Sequence, residues 1–315
     1  MPQATPLSSM ISLGQISARA SASATAESPT GDEEAPLRVT PPGELKRDGF
    51  DHHFLDGLVV KYPERTGPRG GDEAPRNDKQ SPVLDYEHFS LVMSKSRRIA
   101  IFTACNINGQ QSKKITRGND VWFYDGRMDL KYQVGEELYT GNHLDRGHLV
   151  RREDPVWGDS ASIANDDTFH FTNCSPQYDS FNQQLWLGLE NYLLLNSRAH
   201  GLKISVITGP VFRSSDQAYR GVKLPREYWK VVALVTENMR PSVTAYKISQ
   251  ADLLAEGLEF VFGEYKTYQV SVSHVEKLAS LDFGDLKDYD GFSTQESVTG
   301  GDFAVELQDW REIRI

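Results

Sequence analysis

Between Asn142 and Arg152 the chain reads Asn-His-Leu-Asp-Arg-Gly-His-Leu-Val-Arg-Arg, which gathers histidine, carboxylate and arginine in one short stretch. His148 can serve as a general base near neutral pH, because an unperturbed imidazole titrates at ~6.5. On that value, activity is expected to rise between about pH 5 and 7.5. Arg146 offers a planar two-pronged fork that suits a phosphate. Gly147 between them removes a side chain and lets backbone or substrate approach closely. The combination fits attack of water on a phosphodiester. On spacing alone, a solvated charged loop fits equally well. Arg151 and Arg152 can contact nucleic-acid phosphates, or stand as a solvated pair. His143 and His148 are five apart rather than four, which argues against a helical zinc pair.

A second polar stretch runs Phe171-Thr172-Asn173-Cys174-Ser175-Pro176-Gln177 and leads to Asn182 and Glu190. A hard cation could bind the Asn182 amide oxygen and keep several waters. Eight helical residues rotate by a net ~80° and rise ~12 Å, so Glu190 shares a side with Asn182 but stands two turns away. It would act through a water or on an arginine. Taken alone, Asn182 also reads as an ordinary first-turn residue.

The elements that must position these groups are mostly strands. His88–Met93, Arg98–Cys105, Lys203–Thr208, Trp229–Thr236 and Val243–Ile248 are rich in β-branched and aromatic residues. Asn238–Pro241 is a turn signal that makes the last two a hairpin. Phe181–Arg198 reads as a leucine-rich helix, capped by Asp179 or Ser180 and followed by Gly201. Ala251–Gly257 is a shorter helix candidate, and Tyr62–Pro82 a long loop. Strands with few helices and antiparallel hairpins give an α+β fold.

The residues Asp145-Arg146-Gly147-His148 resemble the Asp-Arg-Gly-His signature of the DNA/RNA non-specific endonuclease family, the ββα-metal, endonuclease G-like nucleases. Thr172-Asn173-Cys174-Ser175-Pro176-Gln177 resembles that family's Thr-Asn-x-x-Pro-Gln element. Asn182-Gln183-Gln184-Leu185-Trp186-Leu187-Gly188-Leu189-Glu190 resembles its Asn-Gln-x-x-Trp-x-x-Leu-Glu element. The three follow in the family's order and spacing, and Arg151 to Gly158 looks most like a bacterial branch. The resemblance covers residues 49–290. It implies an α+β ββα-metal fold, a central antiparallel sheet with a long helix packed on it, and Mg²⁺-dependent hydrolysis of DNA and RNA to 5′-phosphate ends, with Mn²⁺ able to substitute. His148 would be the general base and Asn182 the protein ligand of one Mg²⁺. Arg146 would stabilise the transition state, Glu190 would support metal waters or an arginine, and Asn173 would help shape the site. Arg117, 31 residues before His148, is the candidate for the family's upstream arginine, with Arg127 as the alternative. A homodimer and an inhibitory or regulatory protein partner also accord with the resemblance. Two other functions remain open at this point: a metal phosphodiesterase restricted to one substrate, and a non-catalytic nucleic-acid-binding module. Intact His148, Arg146, Asn182 and Glu190 argue against the second.

The 315 residues suffice for one large domain. The organisation expected is a disordered segment over 1–45, a nuclease domain over 46–292 and a tail over 293–315. The net charge of −10 argues weakly against a nucleic-acid partner, but residues 46–275 carry only −1, which accommodates a locally basic cleft. No run of ~18 apolar residues exists to span a membrane. The first 26 residues lack the basic start and unbroken apolar core of a secretory signal. A cytoplasmic location is expected, with mitochondrial and exported locations open. Cys105 and Cys174 are expected as two buried thiols.

Overall fold

The computed structural model describes residues 37–118, 120–178, 187–236, 238–249, 267–299 and 304–307. The main sheet contains β1 (Val83–Tyr86), β2 (Phe89–Met93) and β3 (Ala100–Asn108). A separate ribbon consists of β4 (Leu144–His148) and β5 (Cys174–Tyr178). The sheet continues with β6 (Lys203–Val211), β7 (Glu227–Val235), β8 (Pro241–Ser249), β9 (Thr267–Val270) and β10 (Ala304–Glu306). Its spatial order is β10-β9-β8-β7-β6-β3-β2-β1, antiparallel throughout. Among the described residues the α-helices are α1 (Glu136–Tyr139), α2 (Ala161–Asp167), α3 (Leu187–His200), α4 (Val272–Ala279) and α5 (Gly291–Thr299).

Strand alternation sorts the sheet into two buried faces. On one, Cys105, Ile107, Ile204, Val206, Tyr228 and Val232 meet Leu194 of α3 and Leu149 and Val150 beyond the ribbon. On the other, Phe102, Ile207, Trp229 and Val231 meet Val272 and Val275 of α4 with Phe50 and Phe54 from the N-terminal loop. Burial on both faces explains why these strands read as nearly continuous apolar runs rather than alternating ones.

The ribbon β4–β5 followed by α3 is a ββα unit. Ser175 Oγ and Tyr228 Oη stand 3.0 Å apart, and the Tyr228 hydroxyl donates to the Pro176 carbonyl at 2.8 Å, docking the ribbon on the sheet. The signature is therefore strand, not loop. It escapes a propensity reading because β4 carries Asp, Arg, Gly and His, and β5 contains Pro176.

The expected strands and the 229–236/243–248 hairpin are present within a few residues. The long helix is described from Leu187 and ends at His200; Ala251–Gly257 lies outside the described residues. Ordered pairing reaches upstream of residue 46, where Val39–Thr40 run parallel to Tyr124–Asp125. The 292/293 boundary falls inside α5, and Ala304–Glu306 hydrogen-bond to β9. Asp290 is buried and accepts from the backbone amides of Val272, Phe292 and Ser293, tying the starts of α4 and α5 together.

Candidate active site

His148 is the last residue of β4, paired in register with Cys174, and Arg146 lies two residues earlier on the same side of the strand. The His148 ring sits 4.8 Å from the Trp122 ring and 5.2 Å, edge-on, from Phe169. Its Nε2 is shielded and has no hydrogen-bond partner. This burial is the largest influence on the imidazole and pushes its pKa down to about 3. The Asp120 carboxylate opposes the shift; the charges of Arg117, Arg152 and Arg146 reinforce it. The ring is thus neutral at physiological pH because it is half encased in aromatics and ringed by guanidinium groups. The acid limb expected near the unperturbed value moves down accordingly.

Gly147 is required by a close approach. A Cβ there would stand 2.1 Å from Gln177 Oε1. Asn173 acts behind the ribbon. Its Oδ1 accepts from Val150 N at 2.9 Å, and its Nδ2 donates to the Val150 and Thr168 carbonyls at 2.9 and 3.1 Å. Its own carbonyl accepts from Leu149 N at 3.0 Å. The amide is therefore spent on pinning the segment after His148. The neighbouring Thr172 hydroxyl joins a buried network with Tyr86 and Asp125.

Arg146 Nη1 reaches both oxygens of Glu136 in α1, each at 2.6 Å, and its guanidinium carbon stands 6.0 Å from the Trp122 ring centroid. Arg117 is exposed and pairs with Asp120 through Nε at 3.2 Å and through Nη2. Arg127 does not serve as the upstream arginine. It is buried, bound to Asp125 and to the Leu45 and Asp85 carbonyls, and lies over the Tyr86 ring. Arg151 and Arg152 are not a solvated pair. Arg152 is engaged by Ile115 O at 3.3 Å, Asn165 Oδ1 at 3.0 Å and Glu153 Oε1 at 2.9 Å, while Arg151 lies 3.9 Å from Glu153.

Glu190 is buried at the start of α3, with its Oε1 3.0 Å from Lys230 Nζ in β7. Sequence reading missed Lys230, which sits inside an apolar strand run; only its charge within that run marks it. Cys174 is buried and unoxidised, donates to the Tyr139 hydroxyl at 3.1 Å, and burial pushes its thiol up to about 12, so it stays protonated. Cys105 is likewise a free buried thiol. Asn182 lies outside the described residues. Among the described residues no three His, Cys, Asp or Glu side chains converge as a metal cage.

A large antiparallel sheet, a ββα unit ending its first strand on histidine, and arginines around a neutral imidazole define a ββα-metal phosphodiesterase architecture. The sequence profile of the DNA/RNA non-specific endonuclease family matches residues 72–290, and the chain belongs to that family. It is 44% identical over 233 residues to the uncharacterized protein y4fB of Sinorhizobium fredii, covering 69% of this chain and 35% of that protein. It is 29% identical over 139 residues to human mitochondrial endonuclease G, covering 40% of this chain and 46% of that protein. The chain thus spans less than half the length of either relative. Its fold is similar to a chain in the crystal structure of an EndoG/EndoGI complex, with a TM-score of 0.53 and 17% identity over 66% of this chain and 87% of that one. Among the described residues no helix is long and apolar enough to cross a membrane.

Proposed function

We propose that the protein is a Mg²⁺-dependent, sugar-non-specific endonuclease that hydrolyses DNA and RNA to 5′-phosphate ends. The observation that carries this reading is His148: a neutral imidazole with an unpartnered Nε2, set between Trp122 and Phe169 and ringed by three arginines. Nε2 accepts the proton of the attacking water, a role worth ~10²–10⁴-fold. Arg146 exchanges Glu136 for the scissile phosphate and meets the charge that develops on its oxygens. Arg117, the most exposed of the three, guides the phosphate in. Arg151 and Arg152, already engaged by Glu153 and its neighbours, contribute field more than phosphate contact. Asn182 would hold the Mg²⁺, which when bound supplies charge neutralisation at the phosphate and the leaving 3′-oxygen. An inhibitory protein partner is part of the proposal, supported by the EndoG/EndoGI complex of the structural neighbour.

The test is incubation of the purified protein with plasmid and with total RNA, with Mg²⁺ and with chelator, followed by end-labelling of the products. Cleavage of both polymers with Mg²⁺ alone and 5′-phosphate ends are expected. Cleavage of one polymer only would narrow the substrate class, and cleavage in chelator would remove the metal.

A further inference from the structure

Lys230 occupies the middle of β7 in the centre of the sheet, with its side chain 1% exposed. A lone ammonium there would carry a heavy desolvation cost. The register shows what surrounds it. Lys230 pairs with Thr208 of β6, which pairs with Thr103 of β3, so three polar residues make a row across this face. Lys230 Nζ donates to Thr208 Oγ1 at 3.1 Å and stands 3.0 Å from Glu190 Oε1. Two residues back on the same strand, Tyr228 docks the ribbon that ends on His148. Further charges converge from the segment after β4. Asp154 is buried, and desolvation raises its carboxyl above the usual range; Arg151 and Lys230 lower it, and Glu190 and Glu153 raise it. Arg198 of α3 closes the edge through Glu153 at 3.3 Å, and the Cys105 thiol of β3 faces Asp154 and Lys230. Asp154 Oδ1 and Arg151 Nη1 are buried without a hydrogen-bond partner, and Glu190 Oε1 meets Lys230 as an ion contact rather than in hydrogen-bond geometry.

A buried ion pair is a poor device for stability, since apolar replacements often do as well or better. Its use here is orientation. We propose that Lys230 is the positioning residue of Glu190, a buried side chain in the sheet that keeps this carboxylate in one orientation behind the His148 ribbon. The inference rests on the reading of Glu190 as part of the site. The sheet, not the helix, supplies the partner of Glu190.

A double-mutant cycle tests it, with Lys230→Met, Glu190→Gln and the double variant assayed on plasmid DNA with Mg²⁺ between pH 5 and 9. Each single change is expected to lower kcat at least ~10-fold, with KM within ~3-fold. The double variant should match Glu190→Gln within ~2-fold, because Lys230 then has nothing left to position. Equal losses from Lys230→Met in both backgrounds, or wild-type kcat in Lys230→Met, would overturn the inference. If Lys230→Met alone does not fold, the comparison of Glu190→Gln with the double variant decides: equality supports the inference, and a further loss overturns it. Wild-type kcat in Glu190→Gln would instead remove Glu190 from the proposed site, and this inference with it.

Discussion

An imidazole held near pKa 3 is neutral over the whole physiological range, so the acid side of the rate profile should not report His148 near its unperturbed value. The kcat/KM profile of the free enzyme should show no His148 limb between pH 5 and 7.5; a limb centred near ~6.5 would mean the ring is more solvated than its packing indicates. The same shift governs stability. The unfolded chain binds a proton at His148 below ~6.5 while the native state does not until about 3, so native stability falls as pH drops through that window. Replacing Trp122 with alanine should open the ring to water and bring its titration, read by NMR, upward. Arg146 leads to a second expectation. Its Nη1, shared between the two Glu136 oxygens, makes a half-exposed contact worth little in stability, but that nitrogen is then engaged where a phosphate would bind. Glu136→Gln should lower KM for DNA by several-fold and leave kcat and Tm nearly unchanged. An unchanged KM would show that Arg146 is not a phosphate contact.

At the scale of elements, the ribbon decides the site. Gly147 and Gln177 interlock across it, and Asn173 staples its exit. Gly147→Ala should destabilise the protein through the collision with the Gln177 side chain, and Gln177→Ala added to it should restore much of the Tm. Additive losses would place the strain elsewhere. Asn173→Ala leaves Val150 N and the Val150 and Thr168 carbonyls without their partner, a cost on the order of 3 kcal/mol read by denaturant unfolding. The sequence announced the residue types of this ribbon but not its conformation, because Asp, Arg, Gly and Pro are poor strand formers and the pairing with β5 overrides them. It announced the apolar strands well, since burial on both faces leaves little else they could be. Helix α4 was missed despite Ser271 capping it, because Val272, Val275 and Ala279 make only a short stripe. Lys230 was invisible for the opposite reason: a charge inside an apolar strand says nothing until register shows Thr208 beside it and Glu190 above it.

Across the whole molecule, a sheet covered on both faces carries the chemistry on one of them, with α3 and the ribbon over β3, β6 and β7, while α4 and the N-terminal loop seal the other. Charge is arranged just as unevenly. On the proposed function, a chain of net −10 would bind a polyanion through few cations, and two of those expected to do so are tied to Glu153 and its surroundings. Neutralising Arg151 and Arg152 together should therefore lower Tm more than it changes the salt dependence of binding. A drop of ~2 in the slope of log K against log salt, with Tm intact, would restore them as phosphate contacts. The proposed chemistry depends on a single nitrogen, His148 Nε2. The most direct measurement is single-turnover cleavage of plasmid DNA with Mg²⁺ by wild type and His148→Ala, with folding of the variant confirmed by circular dichroism. A loss of at least ~10² in rate is predicted; a folded His148→Ala protein that cleaves at close to the wild-type rate would contradict it.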